Sequence, residues 1–168
     1  PNGMTLVRYG SPGGWPAVGD PGPAARGANF YCAGSAGDAT IVQEIDISPL
    51  TPSIDAGWTQ YRLSAYLGGY LSQRDQATLR VQFRTAAGTV ISSALIGPVT
   101  PAERGDQTGL LLRAAQGTVP VGARRATVEL RSQRFDGTAS DGYADNLEFK
   151  IVRTGCVADL DRNERVDL

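Results

Sequence analysis

The sequence predicts an all-β fold, an antiparallel β-sandwich, from three observations. Apolar and polar residues alternate with a period of two along several segments, as they do when one face of a strand packs on a core. The 168 residues include 21 glycines and 10 prolines, which suits short strands joined by tight turns. No segment has a convincing 3.6-residue period. About seven or eight strands at this spacing predict a sandwich or jelly roll.

The predicted elements follow one another along the chain. The first 35 residues are rich in glycine and proline and cannot pair as central strands, so we expect a long loop that carries function or covers a sheet edge. Alternation then predicts strands at 41–47, 61–67, 78–84, 126–131 and 147–151, and shorter apolar segments predict buried strands at 90–96 and 109–115. Residues 100–109 suit at most one short helical turn.

Composition excludes several classes of function. The net charge is −1 and the arginines are spread along the whole chain, which argues against a nucleic-acid partner. No apolar stretch approaches the roughly 20 residues that cross a bilayer, so we expect no membrane insertion. Because the sequence starts with Pro1 rather than methionine, we expect a mature, processed chain.

The residues that carry most enzymatic chemistry are missing or poorly placed. The chain has no histidine, which excludes every histidine-based triad or base. Glu44 and Asp46 are two residues apart on one predicted strand, so they lie about 7 Å apart on one face and suit an acid/base pair. Neither residue lies at a loop-lined strand end, however. We predict a protein without catalytic activity.

Two cysteines, Cys32 and Cys156, lie far apart in the sequence. An even number of cysteines in a Gly- and Pro-rich β protein fits a disulfide between them. Two unrelated thiols fit the sequence as well, and the alternating pattern of residues does not decide between a disulfide and two free thiols. Two cysteines and no histidine argue against a zinc site.

Four stretches carry a family resemblance: GANF at 27–30, QEIDI at 43–47, LSAYLGGY at 63–70 and DGYADNL at 141–147. They resemble bacterial secreted domains of the galactose-binding-like jelly-roll type and, more loosely, carbohydrate-binding modules. The resemblance covers roughly residues 5–152 and implies a secreted, extracellular or cell-surface protein. Such domains open with an acidic strand beside the strand that contains Asp145. In this protein the acidic opening strand either lies upstream of residue 1 or is replaced by residues 5–9.

The resemblance implies a ligand site just before the last strand. Aromatic rings near loops are the usual platforms for sugars, and Trp15, Trp58, Tyr70 and Tyr143 qualify by position. Tyr143 follows a polar loop in which three side chains suit oriented hydrogen bonds to a ligand: Arg134, Asp136 and Asp141. A well-ordered turn that caps itself would contain the same residues.

Calcium is the one cofactor that the sequence suggests, and no organic cofactor is expected. In similar modules the counterpart of Asp145 serves a structural calcium ion. The segment from Cys156 resembles the start of a dockerin-type calcium repeat, with oxygen ligands at alternate loop positions: Asp159, Asp161, Asn163 and Asp167. Glu164 stands where that loop needs glycine, and an ordinary charged tail fits the composition too. We therefore divide the chain into a sandwich, 1–153, and a linker with an incomplete dockerin-like segment, 154–168.

Two functions follow from these expectations. The first is a secreted, non-catalytic recognition module for a glycan or cell-surface polymer. The second is a structural subunit of an extracellular filament or matrix, in which identical neighbouring subunits exchange a strand or tail.

Overall fold

The computed structural model describes residues 3–154. Within that range two antiparallel sheets face each other, so the predicted β-sandwich is confirmed. The strands are β1 Thr5–Arg8, β2 Asn29–Cys32, β3 Asp38–Asp46, β4 Thr59–Gly69, β5 Gln76–Arg84, β6 Val90–Ile96, β7 Gly109–Thr118, β8 Arg125–Gln133 and β9 Tyr143–Arg153. The larger sheet has the order β1-β2-β9-β4-β7, and the smaller has the order β3-β8-β5-β6.

The main core lies between the two sheets and is built by the alternating residues. In β5, every second side chain from Ala77 to Phe83 is buried, and the residues between them are partly exposed. Phe83 is the centre of an aromatic group, with its ring centroid 5.0 Å from that of Tyr61 and 6.3 Å from that of Phe149. The period of two therefore identified these strands correctly, because one of their faces packs on this core and much of the other is exposed to solvent.

Sequence reasoning gave residues 5–9 as a strand only as an alternative, and it missed strand β2 and one helix. Strands β1 and β2 lie in the glycine- and proline-rich region that was expected to be a loop, and each has four residues. Helix α1, Thr51–Asp55, follows a 3-10 turn at Ser48–Leu50, and each begins with a proline in its first turn. Elements this short contain too few residues for a period to be recognised. The single turn expected within 100–109 is the 3-10 turn Ala102–Arg104.

Strand β1 lies at one edge of the larger sheet. Strand β1 pairs with β2, and β2 meets β9 through the pair Tyr31 and Ala144. Residues 5–9 therefore lie near Asp145, and the hydroxyl of Tyr9 donates a hydrogen bond to its carboxylate at 2.8 Å. The strand beside β9 near Asp145 is therefore β2, and β1 lies one strand farther out, so residues 5–9 do not take the predicted place.

Candidate functional site

One end of the sandwich, here called the loop end, gathers the long connections of the chain. The loop 70–75 joins β4 to β5, the loop 134–142 joins β8 to β9, and the segment 97–108 leads into β7. All three reach the same end because β4 pairs antiparallel with both β7 and β9 there. The N-terminal segment 10–28 folds over this end too, since the carbonyl of Pro21 accepts the N–H of Leu110 at 2.8 Å.

Asp75 holds the loop 134–142 in place. Its side chain is buried, and it accepts three backbone N–H groups, from Phe135 at 2.5 Å, Asp136 at 2.8 Å and Asp141 at 2.9 Å. A carboxylate that collects several backbone N–H groups is a strong anchor, because hydrogen bonds to a charged acceptor are about twice as strong as neutral ones. Hydrogen bonds within the domain therefore hold the loop in place without a ligand.

Arg104 holds together the two neighbouring connections, the loop 70–75 and the segment 97–108. Its buried guanidinium donates to the carbonyls of Leu71 at 2.7 Å, Gln73 at 3.1 Å and Gln107 at 2.6 Å. Burial lowers the pKa of this guanidinium from its usual value. By bonding to both loops, Arg104 sets the distance between Leu71 and Gln107.

A second, aromatic core lies on the outer face of the larger sheet. Tyr143 and Ala144 are neighbours on β9, so they face opposite sides; Ala144 enters the main core and Tyr143 enters this second one. The ring of Phe30 lies 5.1 Å from that of Tyr143, and the ring of Trp15 lies 6.0 Å from it. The ring of Trp15 therefore packs on this core, while part of the side chain stays exposed.

The exposed part of Trp15 lines a pocket of about 330 Å³ between the N-terminal segment and the loops that Arg104 ties together. We call this the Trp15 pocket; its lining residues include Trp15, Asp20, Pro21, Leu71, Gln107 and Thr108. An aromatic wall combined with a few polar groups is the usual composition of a small-molecule site.

The polar groups of the Trp15 pocket are oriented by the backbone. One carboxylate oxygen of Asp20 accepts the N–H of Ala17 at 2.8 Å, and the hydroxyl of Thr108 accepts the N–H of Leu71 at 3.3 Å. The Thr108 hydroxyl keeps a proton to donate, and a carboxylate has two oxygens with several acceptor positions. The pocket thus offers a ring face, an acceptor, a hydroxyl and the exposed amide of Gln107.

The residues that sequence reasoning selected lie close to one another, in and after the loop 134–142. The guanidinium of Arg134 donates to the carbonyl of Thr138 at 2.7 Å, and the carboxylate of Asp136 pairs with Arg74 at 3.0 Å. The carboxylate of Asp141 accepts the hydroxyl of Tyr143 at 3.0 Å. Contact of these three polar residues with a ligand stays a prediction.

Tyr143 has a different surrounding from the one the sequence suggested. The residue is fully buried, and burial raises the pKa of its hydroxyl well above the usual value. Its ring therefore offers no face on which a sugar can stack, which corrects the expectation that Tyr143 is the platform. Among the four aromatic candidates, Trp15 is the one that lines the Trp15 pocket. The other polar lining residues, Asp20, Gln107 and Thr108, belong to no sequence pattern that would have selected them.

Burial also perturbs Asp141, and this gives a test by pH. Burial and then the nearby charge of Asp75 raise the pKa of Asp141, while the hydrogen bond from Tyr143 opposes the rise. A carboxyl whose pKa is raised on folding favours the folded state only while protonated, so its contribution is lost as the pH rises through the folded pKa. Asp141→Asn is expected to be more stable than the wild type at pH 7, with the gain disappearing at pH 3. Urea denaturation at both pH values measures it; a gain that is the same at both would contradict the assignment.

Most residues of the calcium and disulfide predictions lie outside the part of the chain that the structure describes. These residues are Asp159, Asp161, Asn163, Asp167 and Cys156. Within residues 3–154, no group of three or more His, Cys, Asp or Glu side chains has the geometry to hold a metal ion. The carboxylate of Asp145 accepts the hydroxyl of Tyr9, and its role in binding calcium stays a prediction. Cys32 is buried, and burial raises the pKa of its thiol to about 11.

Comparisons with known proteins relate this chain to others by fold. No protein-family model matches the chain, and no curated protein matches its sequence. A family 16 carbohydrate-binding module is 20% identical with a TM-score of 0.50, over 81% of this chain and 89% of that one. The enzymatically active domain of tailspike protein 4 of bacteriophage CBA120 is 15% identical with a TM-score of 0.50, over 89% of this chain. This chain spans 19% of the tailspike chain.

A third similar structure is a module of another class, TmCBM61, solved in complex with β-1,4-galactotriose. It is 14% identical with a TM-score of 0.46, over 90% of this chain and 82% of that one. At such identities the first two structures establish the β-sandwich fold of this chain and nothing finer.

Proposed function

We propose that this domain is a non-catalytic carbohydrate-binding module that acts outside the cell and holds a glycan in the Trp15 pocket. The observation that carries the proposal is the partly exposed Trp15, whose ring lies 6.1 Å from that of Phe30 and 6.0 Å from that of Tyr143. A flat ring covers the apolar face of a pyranose, and the surrounding acceptor, amide and hydroxyl match the hydroxyl groups at a sugar's rim. The carbohydrate-binding module of similar fold supports the same function.

The size and charge of the pocket indicate the kind of sugar. About 330 Å³ is at the small end of ligand sites, so the pocket suits one or two sugar rings. The side chain of Asp20 brings a carboxylate, and the pocket lining includes no basic side chain. Repulsion of an acidic sugar by Asp20 favours neutral glycans.

The candidate acid pair gives no support to an enzyme. Glu44 and Asp46 lie on the exposed face of β3, at the end of the sandwich opposite the Trp15 pocket. Both line a pocket of about 510 Å³ with Ser48 from the following turn, which corrects the expectation that neither lies at a loop-lined strand end. Hydrogen bonds from Ser48 lower the pKa of Asp46, so its carboxyl is a poor proton donor at neutral pH. A general acid in glycoside hydrolysis needs a raised pKa. The missing histidines support a non-catalytic role as well.

The experiment is a glycan array probed with the full chain and three variants. The wild type is expected to bind a set of neutral glycans, and Trp15→Ala is expected to lose that binding. Gln107→Ala removes one exposed amide without touching the fold, so we expect an affinity about tenfold lower. Circular dichroism of each variant checks that the fold is intact.

Trp58→Ala is the matched control. Trp58 is 57% exposed and lies at the far end of β4, a strand about 35 Å long, so its loss should leave the array profile unchanged. Binding that survives Trp15→Ala but not Trp58→Ala would contradict the proposal, and so would the absence of glycan binding by the wild type.

A further inference from the structure

Leu71 has an unusual backbone conformation in the wall of the Trp15 pocket. Its φ is 40°, in the left-handed region that bulky side chains rarely adopt. The carbonyl of Tyr70 accepts the N–H of Gln73 at 3.0 Å, so Leu71 occupies the second position of a tight turn. A positive φ at that position favours glycine, asparagine or aspartate. Of the three non-glycine residues with positive φ within residues 3–154, Leu71 is the only apolar one.

Two hydrogen bonds hold Leu71 in this conformation. Its carbonyl accepts a hydrogen bond from the buried guanidinium of Arg104 at 2.7 Å, and its N–H donates to the hydroxyl of Thr108 at 3.3 Å. Backbone strain persists only where the surrounding structure enforces it, and it concentrates at ligand sites. Burial of the arginine is unfavourable too, because a charge leaves water. The fold therefore combines a strained leucine and a buried charge at the wall of this pocket.

The side chain of Leu71 gains little burial in return for the strain. It is 44% exposed, and it lines the Trp15 pocket together with Pro21, which is exposed as well. An apolar side chain that is open to water gains free energy when an apolar group covers it, at about 25 cal/mol for each Å² removed from water. The Trp15 pocket therefore has an apolar contact to offer besides the tryptophan ring, and a ligand that uses it carries an apolar group of its own.

The polar groups of the Trp15 pocket indicate which group carries that apolar part. The hydroxyl of Thr108 accepts the N–H of Leu71 and keeps its own proton to donate, so a hydrogen-bond donor lies next to the leucine. The carboxylate of Asp20 bonds to the N–H of Ala17 through one oxygen and has acceptor positions for a further N–H. An acetamido group has the three matching parts, namely a methyl group, a carbonyl that accepts and an N–H that donates.

We propose that the Trp15 pocket selects an N-acetylhexosamine, with the methyl group of its acetamido substituent against Leu71. The pyranose ring lies on Trp15, the acetamido carbonyl accepts the hydroxyl of Thr108, and the acetamido N–H donates to Asp20. The sugar is neutral, as the carboxylate in the pocket favours. This inference rests on the proposed glycan-binding function and names the class of sugar that the same site takes.

The test is an NMR titration of the full chain with methyl β-glycosides of N-acetylglucosamine, glucose and glucosamine, and with the same three forms of the galacto epimer. In the series that binds more tightly, we expect the N-acetyl sugar to bind about tenfold more tightly than its parent hexose, because it buries one more methyl group and forms one more hydrogen bond. The free amine lacks the methyl group and is expected to bind more weakly than the N-acetyl sugar. Saturation transfer from the protein should be strongest at the acetyl methyl protons.

Leu71→Asn removes the apolar contact and suits the turn. We expect the affinity for the N-acetyl sugar to fall about fourfold, while the affinity for the parent hexose changes less than about twofold. The melting temperature is expected to stay the same or to rise, because asparagine tolerates the positive φ. Leu71→Met keeps an apolar side chain and should keep the preference. Leu95→Asn is the matched control, since Leu95 is 58% exposed on β6 of the other sheet, and it should leave both affinities unchanged.

The outcomes separate this inference from the proposed function. Equal affinities for the N-acetyl sugar and its parent hexose, both lost in Trp15→Ala, would overturn the inference and leave glycan binding standing. Tighter binding of the free amine would overturn it too, because the charge of Asp20 would then select the ligand. A preference that survives Leu71→Asn would show that Leu71 does not contact the methyl group. If the wild type binds glycans on the array but no N-acetylated sugar, the inference alone fails, and if it binds no glycan at all, both fail.

Discussion

Replacing Asp75 with alanine is expected to destabilise the domain by about 3 kcal/mol, because three hydrogen bonds to a charged acceptor are lost at once. The N–H groups of Phe135, Asp136 and Asp141 all bond to this one buried carboxylate. Water that enters the loosened loop recovers part of the loss, so the figure is below the sum of three separate bonds. Urea denaturation monitored by circular dichroism measures the free energy of unfolding.

Asp75→Asn is the control for that variant. Asparagine keeps one carbonyl oxygen, which can accept from Phe135 and Asp136, but its amide group faces the N–H of Asp141 with a donor. We expect about half the loss seen with alanine. A loss below about 1 kcal/mol in the alanine variant would show that Asp75 does not hold the loop.

Gly68→Ala is expected to cost more than about 3 kcal/mol, because the backbone of the neighbouring strand occupies the space that the new methyl group needs. A Cβ at Gly68 would lie 1.8 Å from the carbonyl oxygen of Gly109 and 2.8 Å from the Cα of Leu110. These atoms belong to β7, which pairs with β4 along its full length, so they cannot move without breaking the sheet.

Gly27→Ala provides the comparison for Gly68→Ala. A Cβ at Gly27 has nothing within 4 Å, and Gly27 is not in the left-handed backbone region. Its substitution should change the free energy of unfolding by less than about 0.5 kcal/mol. If both variants denature at the same urea concentration, the close approach of β4 and β7 at Gly68 is wrong.

The sequence predicted the strands well because burial and alternation are local properties. Segments such as 78–84 carry the whole signal within seven residues, and the structure places β5 at Gln76–Arg84. Helix α1 and strands β1 and β2 are shorter than any recognisable period. Their structure depends on pairing and packing with distant segments, which no local pattern contains.

The candidate site was harder to predict because it is assembled from segments far apart in the sequence. The N-terminal region was expected to be a loop that carries function or covers an edge, and in the structure it contributes Trp15 and covers the start of β7. Gln107 and Thr108 reach the pocket only because Arg104 fixes their loop beside Leu71. Tyr143 was expected just before the last strand, whereas it is the first residue of β9, and its outward side is covered by the same N-terminal segment.

The filament hypothesis needs contacts between copies of the chain, and sedimentation of the wild type tests for them. Within residues 3–154 no helix is long and apolar enough to cross a membrane.

The most direct test of glycan binding uses the two tryptophans of the chain. In a Trp58→Phe variant all tryptophan emission comes from Trp15, so titration with the tightest-binding glycan from the array reports on the pocket itself. We predict a saturable change in that emission, with the same affinity that the array ligand shows for the wild type. In a Trp15→Phe variant the emission of Trp58 should stay constant during the titration. Tight binding of the glycan without any change in Trp15 emission would contradict the account and place the site elsewhere on the domain.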